Sequence, residues 1–193
     1  MSFLQQLQNR LAMLKNTSTI ITTPTGERFI ENQRDSTQNV KLSERSFGFV
    51  IDTMPDKVPS CILGDFLYLG SQDAVSSENV GKYQLTHILS IGVEMPELQQ
   101  NDIENIYIPC LDLPSTILFH SIQKAVNFIQ KARSNNGRIL VHCNAGVSRS
   151  ASIVIAYLIL ELGMSYTAAF TLVKSKRECV QPNCGFIMQL GNY

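Results

Sequence analysis

The sequence predicts an α/β fold in which a central, mostly parallel sheet is flanked by helices. From residue 60 onward, segments typical of strands alternate with segments typical of helices, and this order is characteristic of parallel sheets covered by helices. The segment "RILVHC" at 138–143 is short and mainly apolar, as in a strand that is buried on both faces. Leu118, Ile122, Ala125 and Ile129 recur at intervals of three or four residues, which indicates the buried face of a helix.

Each element of this alternation follows from its own local pattern. Strands are predicted in "DFLYLG" at 65–70, in "THILSIG" at 86–92, near 105–110, and in "RILVHC". Helices are predicted from near Ser71, along the face that begins at Leu118, and at about 148–162, 165–176 and 184–191. Gly163 is expected to end one of these helices, and Ser165 is expected to cap the start of the next.

The chain is predicted to consist of an N-terminal extension, residues 1–58, and a folded domain, residues 59–193. In the extension, apolar residues at helical spacing predict a short amphipathic helix over 3–15. Such a stripe packs on its own domain more often than it serves as a docking element. The next segment, 16–58, is rich in Thr, Asn, Gln, Ser and charged residues, so mostly irregular backbone is expected there.

Composition and charge argue against several classes of partner. The 16 basic residues balance 16 acidic ones, so no general electrostatic attraction to nucleic acid or to an anionic membrane surface is expected. The longest apolar run, Ala151 to Leu160, is shorter than the roughly 20 residues that a membrane span needs. Five cysteines at irregular spacings argue against a disulfide framework and favour a reducing compartment, the cytoplasm or the nucleus.

The segment after the strand "RILVH" has the features of an anion-binding loop. Ligands of parallel α/β sheets bind beyond the carboxyl ends of the strands, and the N-terminus of a helix offers unpaired N–H groups and partial positive charge. Gly146 lets the backbone approach an anion closely, and the guanidinium of Arg149 suits two phosphate oxygens. We therefore predict a phosphate site formed by the following residues: Asn144, Ala145, Gly146, Val147, Ser148 and Arg149.

Cys143 stands at the base of this predicted site. Helix N-termini and nearby cations favour the thiolate form of a cysteine, and a thiolate beneath a bound phosphoryl group is a nucleophile for phosphorus. The alternative is that Cys143 is a small buried apolar residue, which is the commoner role for a lone cysteine. The glycine, the arginine six residues later and the strand-to-helix position favour the nucleophile.

These residues carry a resemblance to a known family. "HCNAGVSR" matches the His-Cys-x5-Arg signature of the protein tyrosine phosphatase superfamily, and "VHCNAGVSRSASIVIAYLI" resembles the dual-specificity phosphatases in particular. The resemblance extends over about 60–193, through "LYLGSQDA", "THILSIGVE", "LDLPST", "AFTLVKSKR" and "PNCGFIMQL". It implies a protein tyrosine phosphatase-like fold and makes 59–193 a catalytic domain.

The resemblance also implies roles for two residues outside the predicted phosphate site. Asp112 in "CLDLPST" corresponds to the general acid, which protonates the leaving oxygen and later activates water. Without the resemblance, the more common role for such an aspartate would be to cap a helix that starts near Ile117. Ser150 corresponds to a hydroxyl that donates a hydrogen bond to the sulfur of Cys143, although a serine at a helix start also suits a cap.

Two further residues are expected to support the loop. We expect His142, which precedes the nucleophile, to be buried and hydrogen-bonded, and to hold the loop and tune Cys143 instead of acting as an acid or base. Asn183 in "PNCGF" matches a family asparagine that is expected to brace the phosphate loop from behind.

Together these features predict a metal-independent and cofactor-independent protein phosphatase that forms a phosphocysteine intermediate. None of the residues between Cys143 and Arg149 is charged, which argues against polyphosphorylated inositol lipids, and the net neutrality disfavours an RNA 5′-phosphatase. A shallow pocket is expected, and such a pocket would admit phosphotyrosine as well as phosphoserine and phosphothreonine.

The resemblance implies stress-activated MAP kinases or an upstream kinase kinase as partners. The alternative is a low-turnover scaffold that binds phosphoproteins or kinases.

Overall fold

The computed structural model describes residues 56–94 and 102–193, together with the backbone of three strands between residues 18 and 42. The chain divides into two compact units, Met1–Ser46 and Phe47–Tyr193. The division expected after residue 58 stays a prediction, since residues 47–55 lie outside the described part of the chain. The amphipathic helix predicted over 3–15 also lies outside it.

The first unit contains a three-stranded antiparallel sheet. Its strands follow one another in chain order: β1 at Ser18–Thr22, β2 at Arg28–Asn32 and β3 at Val40–Leu42. The expectation of mostly irregular backbone over 16–58 is wrong for these segments. The strand β1, "STIIT", consists almost wholly of β-branched residues, which favour extended backbone. The segment between β1 and β2 contains Pro24 and Gly26, which favour a turn.

The second unit is built on a five-stranded sheet that is mostly parallel, as predicted. In chain order the strands are β4 (Ser60–Leu63), β5 (Leu67–Gly70), β6 (His87–Ile91), β7 (Glu104–Ile108) and β8 (Ile139–His142), and their order across the sheet is β4-β5-β8-β6-β7. Only β4 pairs antiparallel, with β5; the other neighbours are parallel. The short strand β4, "SCIL", was not predicted because four residues give too little periodicity to recognise.

Five α-helices surround this sheet in the described part of the chain: α1 (Ser77–Tyr83), α2 (Phe119–Ser134), α3 (Arg149–Leu162), α4 (Tyr166–Lys176) and α5 (Cys184–Leu190). The helix expected from near Ser71 is instead a 3-10 turn at Gln72–Ala74, followed by α1. The other helix boundaries lie close to their predictions. Gly163 ends α3 with a left-handed φ of 64°, and the side chain of Ser165 accepts a hydrogen bond from the N–H of Ala168 at the start of α4.

The central strand β8 determines where the site lies. All four of its residues are buried, and β8 pairs in parallel with β5 on one side and β6 on the other. His142, the last residue of β8, lies beside Gly70 of β5 and Ser90 of β6. The carboxyl ends of three neighbouring strands therefore meet at one edge of the sheet, immediately before Cys143.

The helix α3 lies in the core of this unit. Every residue from Arg149 to Ile159 is buried, as expected for a helix that is apolar on all sides. Among the described residues, no helix combines the length and the apolar character that crossing a membrane requires. The apolar run that begins at Ala151 thus contributes to the core, and the start of α3 is itself buried.

Replacement of Leu89 with alanine should destabilise this unit strongly. Leu89 lies in β6 with 0% exposure, and removal of a fully buried leucine side chain leaves a cavity that costs about 2–5 kcal/mol of unfolding free energy. The matched control is Leu160→Ala near the end of α3, because Leu160 is 46% exposed and surface changes usually cost about 0.5 kcal/mol or less. Urea unfolding measures both, and equal losses would contradict this assignment of the core.

Candidate active site

The loop from Cys143 to Arg149 connects β8 to α3 and forms the centre of the site. It will be called the 143–149 loop. Gly146 adopts a left-handed φ of 66°, and a Cβ atom at that position would lie 2.5 Å from the carbonyl oxygen of Gly70. Only glycine satisfies both conditions without a shift of the backbone. The sequence-based expectation that Gly146 permits a special loop conformation therefore agrees with the geometry.

The carbonyl oxygens of four consecutive loop residues, 144–147, each accept a hydrogen bond from outside the loop. The N–H of Gln72 donates to the first at 2.9 Å, the guanidinium of Arg177 donates to the second and third at 2.9 Å each, and the N–H of Gln181 donates to the fourth at 2.8 Å. In a trans peptide group the N–H points opposite to the carbonyl. The N–H groups of residues 145–148 therefore turn toward the inside of the loop.

These inward N–H groups form a concave array suited to an anion. Among the described residues, none of the N–H groups of residues 145–148 donates a hydrogen bond to another protein group. Consecutive amides that point into one cavity bind anions such as phosphate, and the N-terminus of α3 adds its partial positive charge at the same place. The predicted phosphate-binding residues thus lie together in one array.

Cys143 lies at the base of the loop, as the sequence predicted. The residue is 2% exposed, and the hydroxyl of Ser150 donates a hydrogen bond to its sulfur over 3.1 Å. This hydrogen bond is the contact that the family resemblance implied for Ser150. Its hydroxyl points at the sulfur, so the alternative of a plain capping serine does not describe its geometry.

Arg149 is held at the mouth of the loop by two neighbouring segments. One terminal nitrogen of its guanidinium donates a hydrogen bond to the carbonyl oxygen of Gly92 at 3.0 Å. Its Nε lies 3.6 Å from Oδ2 of Asp112. Gly92 has a φ of 66°, and a Cβ atom there would overlap the guanidinium of Arg149 and the carbonyl oxygen of Cys110. Gly92 is therefore a site residue that the sequence analysis missed.

Asp112 contacts the 143–149 loop directly and caps no helix. Its Oδ1 accepts hydrogen bonds from the hydroxyl of Ser148 at 2.7 Å and from Nδ2 of Asn183 at 2.8 Å. The helix α2 begins only at Phe119, and no side chain caps its first turn. The alternative role of Asp112 as a helix cap is therefore not observed.

Asn183 connects the loop, Asp112 and the last helix. Its backbone N–H donates to the hydroxyl of Ser148 at 3.1 Å, and its side-chain oxygen accepts a hydrogen bond from the N–H of Phe186 at 2.9 Å as the N-cap of α5. Asn183 was expected to brace the loop from behind. It also fixes the carboxylate of Asp112, a contact that was not anticipated.

His142 is fully buried beneath the loop. A hydrogen bond of 2.7 Å joins its Nε2 to the hydroxyl of Ser90, and the residue is 0% exposed. Burial disfavours the charged imidazole and lowers the pKa of His142 to about 4, with a smaller opposing contribution from a backbone hydrogen bond at Cys143. A neutral, hydrogen-bonded imidazole agrees with the supporting position that was predicted for His142.

Arg177 is a second residue that the sequence analysis missed. It is 6% exposed and supplies both side-chain hydrogen bonds to the loop carbonyls, at Ala145 and Gly146. The same guanidinium forms an ion pair with the carboxylate of Asp56. No motif spacing marks either residue. The signal that could have found Arg177 was the segment "AFTLVKSKR", which ends at this residue, because an arginine supplies several N–H donors for backbone carbonyls.

In the described part of the chain, the remaining cysteines and acidic residues form no further reactive cluster. All five cysteines are free, and Cys61, Cys179 and Cys184 are exposed. Burial raises the pKa of the Cys110 thiol to about 11, so that this thiol stays protonated near neutral pH. Within residues 56–94 and 102–193, no group of three or more His, Cys, Asp or Glu side chains is arranged to hold a metal ion.

Comparisons with known proteins agree with this geometry. The family model described as the catalytic domain of dual specificity phosphatases matches residues 67–193. Dual specificity protein phosphatase 19 of Mus musculus is 38% identical over 187 residues, which cover 93% of this chain and 84% of that protein. Dual specificity protein phosphatase 1 of Arabidopsis thaliana is 41% identical over 136 residues, which cover 70% of this chain and 68% of that protein. The crystal structure of DUSP15 matches with a TM-score of 0.64 at 36% identity, and covers 69% of this chain and 85% of that one.

Removal of the Arg177 guanidinium should weaken anion binding at the 143–149 loop. In Arg177→Gln the carbonyl oxygens of Ala145 and Gly146 lose charge-assisted hydrogen bonds, each worth about 1.5–3 kcal/mol, and the amide array loses its fixed orientation. We expect the affinity for inorganic tungstate, measured by isothermal titration calorimetry, to fall by roughly tenfold or more. The matched control is Lys176→Gln, which removes the same charge from an exposed neighbour. Equal losses in both variants would contradict the bracing role.

The buried His142 should make folding stability depend on pH. The pKa in the folded protein is about 4, and in the unfolded chain it is about 6.5. As the pH falls, the unfolded chain therefore takes up this proton before the folded protein does. The contribution of the neutral His142 to the unfolding free energy is fully present above about pH 6.5 and is lost as the pH falls toward about 4. The loss amounts to about 3 kcal/mol. In His142→Asn the fall in unfolding free energy between pH 7 and pH 4 should be smaller by about that amount. Identical pH slopes in the two proteins would show that burial does not hold His142 neutral.

Proposed function

Because this chain belongs to the dual specificity phosphatase family and is a protein tyrosine/serine/threonine phosphatase, we propose that Cys143 is the nucleophile that takes the phosphoryl group from its phosphoprotein substrates. The observation that carries this proposal is the position of the Cys143 sulfur at the base of the inward amide array, 3.1 Å from the Ser150 hydroxyl. A phosphate held by these amides and by Arg149 presents its phosphorus to that sulfur.

In the first step the sulfur of Cys143 forms a bond to phosphorus while the bond between phosphorus and the ester oxygen breaks. The leaving oxygen takes the electron pair of that bond and needs a proton, which we assign to Asp112. Asp112 Oδ2 lies 3.6 Å from Arg149 Nε, and Oδ1 is engaged by Ser148 and Asn183. Because Oδ1 is occupied by these two hydrogen bonds, we assign the proton transfer to Oδ2.

In the second step water attacks the phosphorus of the phosphocysteine, and the bond between phosphorus and sulfur breaks. Asp112, now without its proton, accepts a proton from that water. The sulfur leaves as an anion, and the hydrogen bond from Ser150 stabilises the negative charge that it acquires. Inorganic phosphate is released and Cys143 returns to its starting form.

Charge that develops on the phosphoryl oxygens is stabilised by the amides of residues 145–148 and by the guanidinium of Arg149. These donors are oriented before the substrate arrives, which is the most effective form of electrostatic catalysis. We propose that they make a divalent metal unnecessary. The presence of Cys143, Arg149 and Asp112 in one site favours an active enzyme over a low-turnover scaffold of the same fold.

We also propose that the substrates include stress-activated MAP kinases or an upstream kinase kinase, in the cytoplasm or the nucleus. This proposal rests on the family resemblance and on the neutral character of the loop. None of the five side chains between Cys143 and Arg149 is charged, so the loop offers charge for one phosphate instead of several. Hydrolysis of a doubly phosphorylated kinase-loop peptide, with phosphothreonine and phosphotyrosine scored separately, tests the substrate class.

Substitutions at Cys143 and Asp112 should have different kinetic effects. Cys143→Ser removes the nucleophile and should abolish hydrolysis of p-nitrophenyl phosphate. Asp112→Asn keeps the shape of the side chain but removes its proton transfer. It should lower kcat by roughly 10²–10⁴-fold for a phosphoserine peptide, because the serine oxygen is a poor leaving group. Addition of a chelator should leave all rates unchanged.

The matched control for the nucleophile is Cys184→Ser, because Cys184 is an exposed cysteine outside the 143–149 loop. That variant should retain the rate of the unmodified protein. Retention of activity in Cys143→Ser, or activity that requires an added divalent metal, would contradict the mechanism.

A further inference from the structure

The segment between β7 and α2 exposes an unusual number of large apolar side chains. Leu111 is 68% exposed, Leu113 is 50% exposed and Ile117 is 73% exposed. We call these three side chains the apolar rim. In the stretch from Leu111 to Phe119, Asp112 is the only charged residue. Single exposed apolar residues are common, whereas a contiguous exposed group is typical of an interaction site.

The backbone beneath the apolar rim is fixed, so the exposure does not reflect a loosely packed loop. The N–H of Thr116 donates a hydrogen bond to the carbonyl oxygen of Leu113 at 3.0 Å. The side chain of Gln189 accepts from the N–H of Leu118 at 2.8 Å and donates to the carbonyl oxygen of Thr116 at 2.9 Å. Ile117 is therefore presented between two anchored residues.

A second close contact fixes the middle of the segment. A Cβ atom on Gly185 would overlap the backbone of Pro114, so α5 approaches this segment as closely as a glycine allows. The backbone of the segment is thus held against α5, while Leu111, Leu113 and Ile117 stay exposed.

The apolar rim adjoins the proposed active site. Leu111 and Leu113 flank Asp112, whose carboxylate contacts the hydroxyl of Ser148 at 2.7 Å in the 143–149 loop. A protein substrate that places a phosphorylated residue in this loop carries its neighbouring residues past the mouth of the site. In extended backbone, residues two or three positions away lie about 7–10 Å from the phosphorylated residue.

We propose that the apolar rim binds apolar side chains that lie within about three residues of the phosphorylated residue in the protein substrate. This inference rests on the proposed function and deepens it, because it names a class of substrate sequence. The rim carries no charge, and the charged residue in its segment is Asp112, whose carboxylate is engaged by Ser148 and Asn183. Apolar flanking residues gain by burial against it, whereas acidic flanking residues meet only that negative charge.

Binding to the apolar rim acts on affinity and not on the chemical step. The rim contacts residues that do not react, so its energy contributes to KM for a peptide and leaves the hydrolysis of a small aryl phosphate unchanged. A small substrate and a peptide therefore separate this contribution from catalysis.

The test uses two phosphotyrosine peptides that differ only at the three positions on each side of the phosphotyrosine, with leucines in one and serines in the other. Their binding to the full chain carrying Cys143→Ser is measured by fluorescence anisotropy, which needs no turnover. We expect the leucine peptide to bind at least tenfold more tightly. In the same background, Leu113→Gln combined with Ile117→Gln should reduce this preference to within about twofold.

The matched control is Leu160→Gln, which replaces an exposed leucine of α3 that lies about 16 Å along the helix from Arg149. It should keep the full preference for the leucine peptide. With Cys143 restored, the double variant should hydrolyse p-nitrophenyl phosphate at the rate of the unmodified protein.

Equal binding of the two peptides, or a preference that survives the double variant, would overturn the inference. The inference would also be overturned if sedimentation showed a dimer for the unmodified chain and a monomer for the double variant, because a second copy of the chain would then cover the rim. If the chain prefers the leucine peptide but, with Cys143 present, hydrolyses neither peptide, this inference stands and the proposed function is contradicted.

Discussion

The outward anchoring of four consecutive carbonyl oxygens in the 143–149 loop is the constraint on which the site depends. Two separate parts of the chain supply the donors: Gln72 after β5, and Arg177 and Gln181 between α4 and α5. Because each carbonyl is held away from the loop, each following N–H is turned inward, and the array exists before any anion binds. A short connection between an apolar strand and an apolar helix thereby presents an array of N–H donors next to Cys143, where we propose that the phosphoryl group binds.

The same loop also fixes the residue proposed as the general acid. The hydroxyl of Ser148 donates to Asp112 and accepts from the backbone of Asn183, whose side chain also donates to Asp112. The acid and the phosphate array are therefore positioned by one small network, so a movement of the loop would move both. The Ser150 hydroxyl donates to the Cys143 sulfur, and the buried neutral His142, which precedes Cys143, is held by Ser90; neither adds a formal charge.

The contiguous part of the site could be predicted from the sequence, because Cys143 and Ser150 are seven residues apart and the flanking strand and helix fix their direction. The contacts that brace the loop could not be predicted from the sequence. Arg177 contacts Ala145 across 32 residues, and Asp56 contacts Arg177 across 121 residues. Such contacts depend on how the elements pack, and no local pattern encodes them. The strands between residues 18 and 42 were missed for another reason, since their neighbours are polar and, although β1 is rich in β-branched residues, β2 and β3 contain one each.

The most direct test of the account is to trap the covalent intermediate. Ser150→Ala should slow the departure of the sulfur more than its attack, so that rapid acid quenching after mixing with p-nitrophenyl phosphate captures the adduct for peptide mass spectrometry. The account predicts one PO₃ group on Cys143 at close to one per chain, and none on the chain carrying Cys143→Ser. Release of p-nitrophenol with no adduct on Cys143, or with the phosphoryl group on another residue, would contradict it.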